Sequence, residues 1–356
     1  MKVFYILSIL IFFQFQSCKN SAQEALKSEK KPSISHFRPD SAAVIEKIAF
    51  GSCSNQKLDQ SYWDVILSKN PQLYIWMGDI IYSDTENMEE HKKEYDLMKQ
   101  NPHYSAFISK IPVIGIWDDH DFGVNDGGSS YPKKQESKEL LLGFLDIPHN
   151  DKVRNHEGVY TSYTFGQDMR KTKIFLIDNR YFRSDLIPNE TPANRYKPNT
   201  SGTILGEQQW KWLEDEIRNS DASLNIFVSG IQVIPDDPPY EKWGNFPHER
   251  LRLLNLIEKY KVKNPLILSG DRHLAEISEY TYQDFSGTLT EVTSSGLTHS
   301  FEGVQEFNAY RLGGLFDKKN FGFIEIFWGG SKVMCKLFVY DIDGKIALEH
   351  SLIGDY

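Results

Sequence analysis

Six short apolar runs in this chain each end in residues able to bind a cation or move a proton. Residues 48–50 lead into Gly51-Ser52-Cys53, residues 73–77 into Gly78-Asp79, and residues 113–117 into Asp118-Asp119-His120-Asp121. Residues 174–177 lead into Asp178-Asn179-Arg180, residues 226–228 into Ser229-Gly230-Ile231-Gln232, and residues 266–268 into Ser269-Gly270-Asp271-Arg272-His273. Taken singly these are ordinary turns, because Asp after Gly is a common turn residue. Taken together they bring carboxylates, a thiol, imidazoles and phenols to strand ends, and these are the side-chain types that ligate metals. Several like charges gathered on buried strands are costly or partly protonated without a cation, and a bound metal removes that cost.

Continuous apolar runs bounded by glycine read as strands buried on both faces. Helical patterns separate many of them, over residues 62–68, 88–98, 138–145, 206–218 and 249–260. Residues 277–352 alternate instead and predict a second, mostly antiparallel sheet without helices. Two sheets packed face to face with helices outside make an α/β/β/α four-layer sandwich, whose site lies at the carboxyl ends of the strands. No internal repeat or Pro-rich linker interrupts the chain after Ile45, so residues 45–356 are expected to form one domain.

The chain of 356 residues carries 40 Lys+Arg against 49 Asp+Glu, a net charge of -9, which lacks the basic footprint of a nucleic-acid-binding protein. A phosphate ligand would therefore need locally concentrated positive charge. Hydrophobic residues at 40% and charged residues at 25% exclude disordered and collagen-like classes. The three cysteines, Cys18, Cys53 and Cys335, are too few for a disulfide framework. Cys335 lies in an apolar strand pattern and reads as core. Residues 3–13 form an apolar run of signal-peptide length, too short to span a bilayer. The run is followed by Phe15-Gln16-Ser17-Cys18, which resembles a lipobox. Residues 1–17 are expected to be a signal peptide, Cys18 the lipidated residue, and residues 18–44 a polar tether; the alternative is an ordinary cleaved signal. The expected location is a membrane-anchored exported bacterial lipoprotein, facing the periplasm or the cell surface.

The motifs Phe50-Gly51-Ser52-Cys53-Ser54, Met77-Gly78-Asp79-Ile80-Ile81-Tyr82, Trp117-Asp118-Asp119-His120-Asp121, Asp178-Asn179-Arg180-Tyr181-Phe182-Arg183 and Ser269-Gly270-Asp271-Arg272-His273, with the stretch over residues 205–213, stand in the order found in one group of enzymes. The chain resembles the PhoD-like alkaline phosphatases of the metallophosphoesterase superfamily. The resemblance implies the four-layer sandwich, hydrolysis of phosphate esters, and a site holding Fe3+ and Ca2+, another divalent pair being the alternative. It implies metal ligation by Cys53, Asp79, Tyr82, Asp118, Asp119, Asp271 and His273, with Asp79 bridging. His120 corresponds to the superfamily's leaving-group acid, and Arg180 and Arg183 to phosphate-binding cations. Trp243 and Arg250 fall in a stretch resembling a loop that borders the site. The sequence departs from the pattern in two places. Only the tether precedes Ile45, where full-length members carry a β-sandwich domain, and Asn179 stands where Thr is usual.

The expected reaction is attack of metal-bound hydroxide on phosphorus in a small phosphate ester, with Arg180 neutralising phosphoryl charge and His120 protonating the departing alkoxide. A phosphodiesterase or phospholipase could use the same centre. A non-catalytic surface lipoprotein is the reading from another class, and its expected mark, loss of ligand positions, is missing from the sequence.

Overall fold

In the computed structural model, the described residues are 35, 36, 39–190, 194–281 and 287–355. Cys18, the signal expectation and the expected tether as far as residue 34 lie outside them; the described end of that tether departs from a solvated linker, because His36 is buried, with its ring nitrogens 3.0 Å from Asp146 and 2.9 Å from the Tyr104 hydroxyl, and the Ser41 carbonyl accepts from the Gly166 N–H. The first three apolar runs form β1 (Lys47–Gly51), β2 (Leu73–Met77) and β3 (Val113–Ile116), paired in parallel in that order. Between them lie α1 (Tyr62–Ser68), α2 (Met88–Gln100) and α3 (Pro102–Ile108). The break between α2 and α3 has a local cause. Asn101 accepts from the backbone N–H groups of His103 and Tyr104, and Pro102, at the first position of the new helix, has no N–H with which to continue the old one. The sequence reading missed α3. After β3 come the single turn α4 (Asp119–Phe122) and α5 (Lys134–Phe144).

The second half supplies β4 (Thr161–Phe165), β5 (Thr172–Leu176), the two-residue strands β6 (Ile187–Pro188) and β7 (Tyr196–Lys197), α6 (Gly206–Arg218), β8 (Leu224–Ser229), α7 (Pro247–Lys259) and β9 (Pro265–Ser269). Here β5, β8 and β9 run parallel to one another, and β4 closes one edge antiparallel to β5.

The C-terminal strands correct one sequence expectation. They form no sheet of their own. Strands β10 (Ala275–Thr281), β11 (Thr288–Ser294) and β12 (Arg311–Phe316) extend the second sheet, giving the order β12-β10-β11-β9-β8-β5-β4. Strands β13 (Asn320–Gly329), β14 (Lys332–Asp341) and β15 (Ile346–Asp355) return to the first sheet, giving β15-β14-β13-β1-β2-β3. Alternation in sequence assigns the faces of a strand but not the edge it joins. The free edge of β1 takes β13, with Lys47 opposite Glu325 and Phe50 opposite Gly322.

The side chains of each strand divide between two cores. Leu73, Ile75 and Met77 of β2 face Leu176, Val228 and Leu268 in the layer between the sheets. Tyr74 and Trp76 point the other way, into a cluster with Trp63, Tyr104 and Phe107 from the helices. On the far side, Phe175, Phe227 and Ile267 pack against Trp210, Leu213 and Leu253 of α6 and α7. Burial on both faces is why these strands lack alternation. Cys335 lies in the inner layer, where burial pushes its thiol up to about 12.

Candidate metal centre

The residues that follow the carboxyl ends of β1, β2, β3 and β9 meet in one place. Cys53, after β1, donates its thiol to Oδ2 of Asp79 at 3.2 Å. The Tyr82 hydroxyl donates to the same oxygen at 3.2 Å and lies 3.1 Å from Nε2 of His273, which follows β9. Cys53, Asp79 and His273 thus offer ligand atoms within 4.8 Å of one another. A second group of equal compactness joins Asp118, Asp119 and Asp271, and a third joins Asp79, Asp119 and His120. Asp79 belongs to the first and third of these, which is the placement of a bridging carboxylate. Cys53, Asp79, Asp118 and Asp119 form a buried floor, while Tyr82, His120, Asp271 and His273 are partly open to solvent.

The backbone bends sharply to achieve this. Cys53, Asp79, Asp271 and His273 all have positive φ, of 59°, 50°, 68° and 53°. Non-glycine residues in that region are strained, and strain of this kind concentrates at functional sites. Gly78 lies at φ 90°, and a Cβ there would come within 2.3 Å of the Asp118 Cβ, so only glycine lets the β2 and β3 loops approach this closely. Asp121 ties the same loops together. Its carboxylate accepts from the backbone N–H groups of Asp118 at 2.6 Å and of Asp79 and Ile80 at 3.2 Å.

The electrostatics of this cluster fit a cation. Burial, and then the charges of Asp119, Asp118, Asp121 and Asp271, hold the Asp79 carboxyl well above its ordinary range. Burial and Asp119 push Asp271 up to about 7, and burial raises the Cys53 thiol, with the Asp79 charge adding to it. Burial and the neighbouring His299 and His120 lower His273 to about 3, leaving it neutral and able to ligate. Asp79 Oδ1 and Asp118 Oδ2 are buried acceptors with no hydrogen-bond partner among the described residues. Unpaired buried carboxylate oxygens cost several kcal/mol each in a dry site (of order ~1–3 even for a neutral group), and coordination satisfies them.

His120 sits beside the cluster. Its Nδ1 lies 2.7 Å from Oδ2 of Asp84, and its ring packs on Tyr82 with centroids 4.2 Å apart. Burial acts to lower its pKa, but the hydrogen bond to Asp84 and the charges of Asp119 and Asp84 outweigh that and leave it raised. Both arginines lie beneath the site, where neither is exposed. Arg180 donates Nε and Nη2 to Oδ1 of Asp118 at 2.8 and 2.5 Å and Nη1 to Glu241 at 2.6 Å. Arg183 pairs with the other oxygen of Glu241 at 2.8 Å and donates to the Gly127 carbonyl. Their forks therefore meet carboxylates and carbonyls, a placement different from the phosphate-binding role expected from sequence. Trp243 is buried, with its indole donating to Ser229, and Arg250 donates to the carbonyls of Val233 and Ile234.

Other residues at the site were not singled out from sequence. Glu241 and Asp126 form a further acidic group with Asp119. Ser295 donates or accepts at 3.1 Å from the Cys53 sulfur and accepts from the His273 N–H at 2.8 Å. His299 packs on both Tyr82 and His273. Asp121 carried a signal in the Asp-Asp-His-Asp block and Asp126 follows Asp119 by seven residues; Glu241, Ser295 and His299 lie far along the chain from their partners, with no spacing to betray them.

The sequence pattern of the PhoD-like phosphatases matches residues 48–318, which hold every one of these site residues. The chain belongs to the PhoD-like phosphatase family. Alkaline phosphatase D of Bacillus subtilis (strain 168) is 22% identical to it over 295 residues, 71% of this chain and 50% of that protein, so the chain spans about half the length of this curated relative. A solved structure of PhoD superimposes with a TM-score of 0.68 at 16% identity, covering 88% of this chain and 73% of that one. A dimetal phosphatase from Danio rerio superimposes with a TM-score of 0.52 at 13% identity, over 88% of this chain and 99% of the other. At these identities the two structures establish a shared fold. They bear out the four-layer metallophosphoesterase architecture expected from sequence.

Proposed function

We propose that this chain is a metal-dependent phosphoric ester hydrolase with the activity of an alkaline phosphatase. The observation that carries the reading is the place of Asp79, which shares one compact group with Cys53 and His273 and another with Asp119 and His120, while Asp119 in turn belongs to the all-carboxylate group with Asp118 and Asp271. Cys53, Asp79, Tyr82 and His273 would hold one cation, a set whose thiolate, carboxylate and phenolate charges suit Fe3+; Asp79, Asp118, Asp119 and Asp271 would hold the other, a hard oxygen set that suits Ca2+. Bound there, two cations supply a water of lowered pKa and charge neutralisation for the phosphoryl oxygens.

The chain's own residues do the rest. His120, whose pKa is raised by its hydrogen bond to Asp84, gives its proton to the departing alkoxide and is the catalytic acid. Arg180 acts on Asp118, not on substrate. With one Asp118 oxygen held by the guanidinium, the other is left aimed at the cluster. Arg183 steadies Glu241 and through it Arg180. In the same reading residues 1–17 are a signal peptide, Cys18 a lipid anchor at the head of a tether as far as residue 34, and residues 45–356 the catalytic domain, delivered to the membrane of the cell envelope. Among the described residues no helix is long and apolar enough to cross a membrane. The test is elemental analysis of protein purified without added metal, beside turnover of a panel of mono- and diesters. Two cations and monoester turnover are expected; faster turnover of diesters would make it a phosphodiesterase, and turnover of neither, with metal bound, would remove the hydrolase reading.

A further inference from the structure

The segment after β11 runs from the Cys53 loop to the His273 loop of the metal centre and is hydrogen-bonded to both. The N–H groups of Gly296 and Leu297 donate to the Ser52 carbonyl at 3.3 and 3.2 Å, and that of Thr298 donates to the Cys53 carbonyl at 3.3 Å. The Thr298 hydroxyl donates to the same carbonyl at 3.2 Å and accepts from the Asn55 N–H at 2.8 Å. Farther on, the Phe301 N–H donates to the His273 carbonyl at 3.1 Å. The next two rings are thereby set against the candidate ligands. His299 packs edge-on against Tyr82 and His273, with centroids 5.1 and 4.4 Å apart, and Phe301 lies 4.6 Å from His273. His299 is half-buried, and Phe301 leaves 47% of its surface in solvent.

Resting on the phosphoester reading above, we propose that His299 and Phe301 form a lip that selects esters whose alcohol half is an aromatic ring. The rings of the lip lie 4.4–5.1 Å from those of Tyr82 and His273, so a phosphate held by a cation on these two residues would direct its ester group toward the His299 and Phe301 rings. A flat ring gains offset or edge contacts there that an alkyl chain does not. The lip is also preorganised, since its backbone is already hydrogen-bonded to the Cys53 and His273 loops, and little ordering is left to oppose binding.

The test uses phosphonates, whose P–C bond survives ester hydrolysis. The metal-loaded protein is titrated calorimetrically with methylphosphonate, phenylphosphonate and octylphosphonate, and each is also measured as an inhibitor of turnover. Phenylphosphonate is expected to bind more tightly than either alkyl compound. Phe301→Leu keeps apolar packing on His273 but loses the aromatic face, and it should shrink the phenyl-over-methyl preference by about two- to tenfold. Phe301→Trp should retain the preference, as should Phe307→Ala, a change at a side chain 72% exposed farther along the segment. Metal content and melting temperature of each variant are recorded alongside. Equal affinity for phenyl and methyl compounds, tighter binding of the octyl chain, or a full preference in Phe301→Leu would overturn the lip. Protein that hydrolyses esters without a ring preference sinks only this inference, whereas protein that neither hydrolyses esters nor binds any phosphonate sinks the phosphoester reading itself.

Discussion

Replacing Arg180 by methionine tests whether this guanidinium holds the site together or holds substrate. The side chain is fully buried and makes three charged contacts, two to Asp118 and one to Glu241. Methionine approximates its volume but leaves the buried Asp118 without its cation and Glu241 with Arg183 alone. Removing one partner of a buried pair typically costs ~3–5 kcal/mol. In a chain this long that corresponds to a fall in melting temperature of roughly 6–20 °C, taking about 2–4 °C per kcal/mol. The loss carries a pH signature. Burial holds the Asp118 carboxyl above its ordinary range and the Arg180 charge is what draws it back, so without Arg180 the folded carboxyl rises further. An acid whose pKa is raised on folding binds more protons folded than unfolded, so its penalty is small below the unfolded value of about 4 and grows as pH rises toward the folded one. Arg180→Met should therefore melt nearest to wild type at pH 5 and farthest below it at pH 8, measured in chelator to keep metal out of the comparison. A melting temperature within a degree or two of wild type at both pH values, combined with a raised KM for phosphate esters, would refute this reasoning and return Arg180 to the role of a phosphate clamp.

Asp79→Asn should remove bound metal and activity together, read by elemental analysis beside turnover; wild-type protein that keeps full turnover after exhaustive chelation would contradict the metal-centre reading. His120→Ala should slow turnover of alkyl esters about a hundredfold to ten-thousandfold with metal content nearly intact, and the loss should be far smaller for a nitrophenyl ester, whose leaving group needs little protonation. Tyr82→Phe deletes only the hydroxyl near Asp79 and His273; if Tyr82 and Cys53 bind ferric iron, wild type shows a visible charge-transfer band that shifts or vanishes in this variant while its melting temperature barely moves. Cys18→Ser should move the protein from the detergent phase to the aqueous phase in a partition assay, and a variant still found with detergent would contradict the lipid anchor.

The strands and most of the ligand types were legible in the sequence because their signals are local. A run such as residues 73–77, apolar throughout and ending in Gly-Asp, encodes both burial on two faces and a turn, and β2 followed by Asp79 is what the chain forms. The same holds for α1 and α6, whose bounds match those expected. The α2–α3 break was readable in principle from Asn101-Pro102, whereas the destination of the C-terminal strands was not. β13 joins β1 because that edge is free, and an edge is a property of the assembled sheet. The fate of the arginines is the clearest case. Arg180 beside a strand end is equally compatible in sequence with a phosphate clamp and a buried ion pair; its partners Asp118 and Glu241 lie 62 and 61 residues away, and only the packed loops bring them together. Likewise, no spacing relates His299 and Ser295 to Cys53 and Tyr82, more than two hundred residues earlier. Local chemistry thus determined which atoms were available at each strand end, while the tertiary structure decided which of them face the site and which face one another, because a buried charge takes the nearest opposite charge that packing supplies.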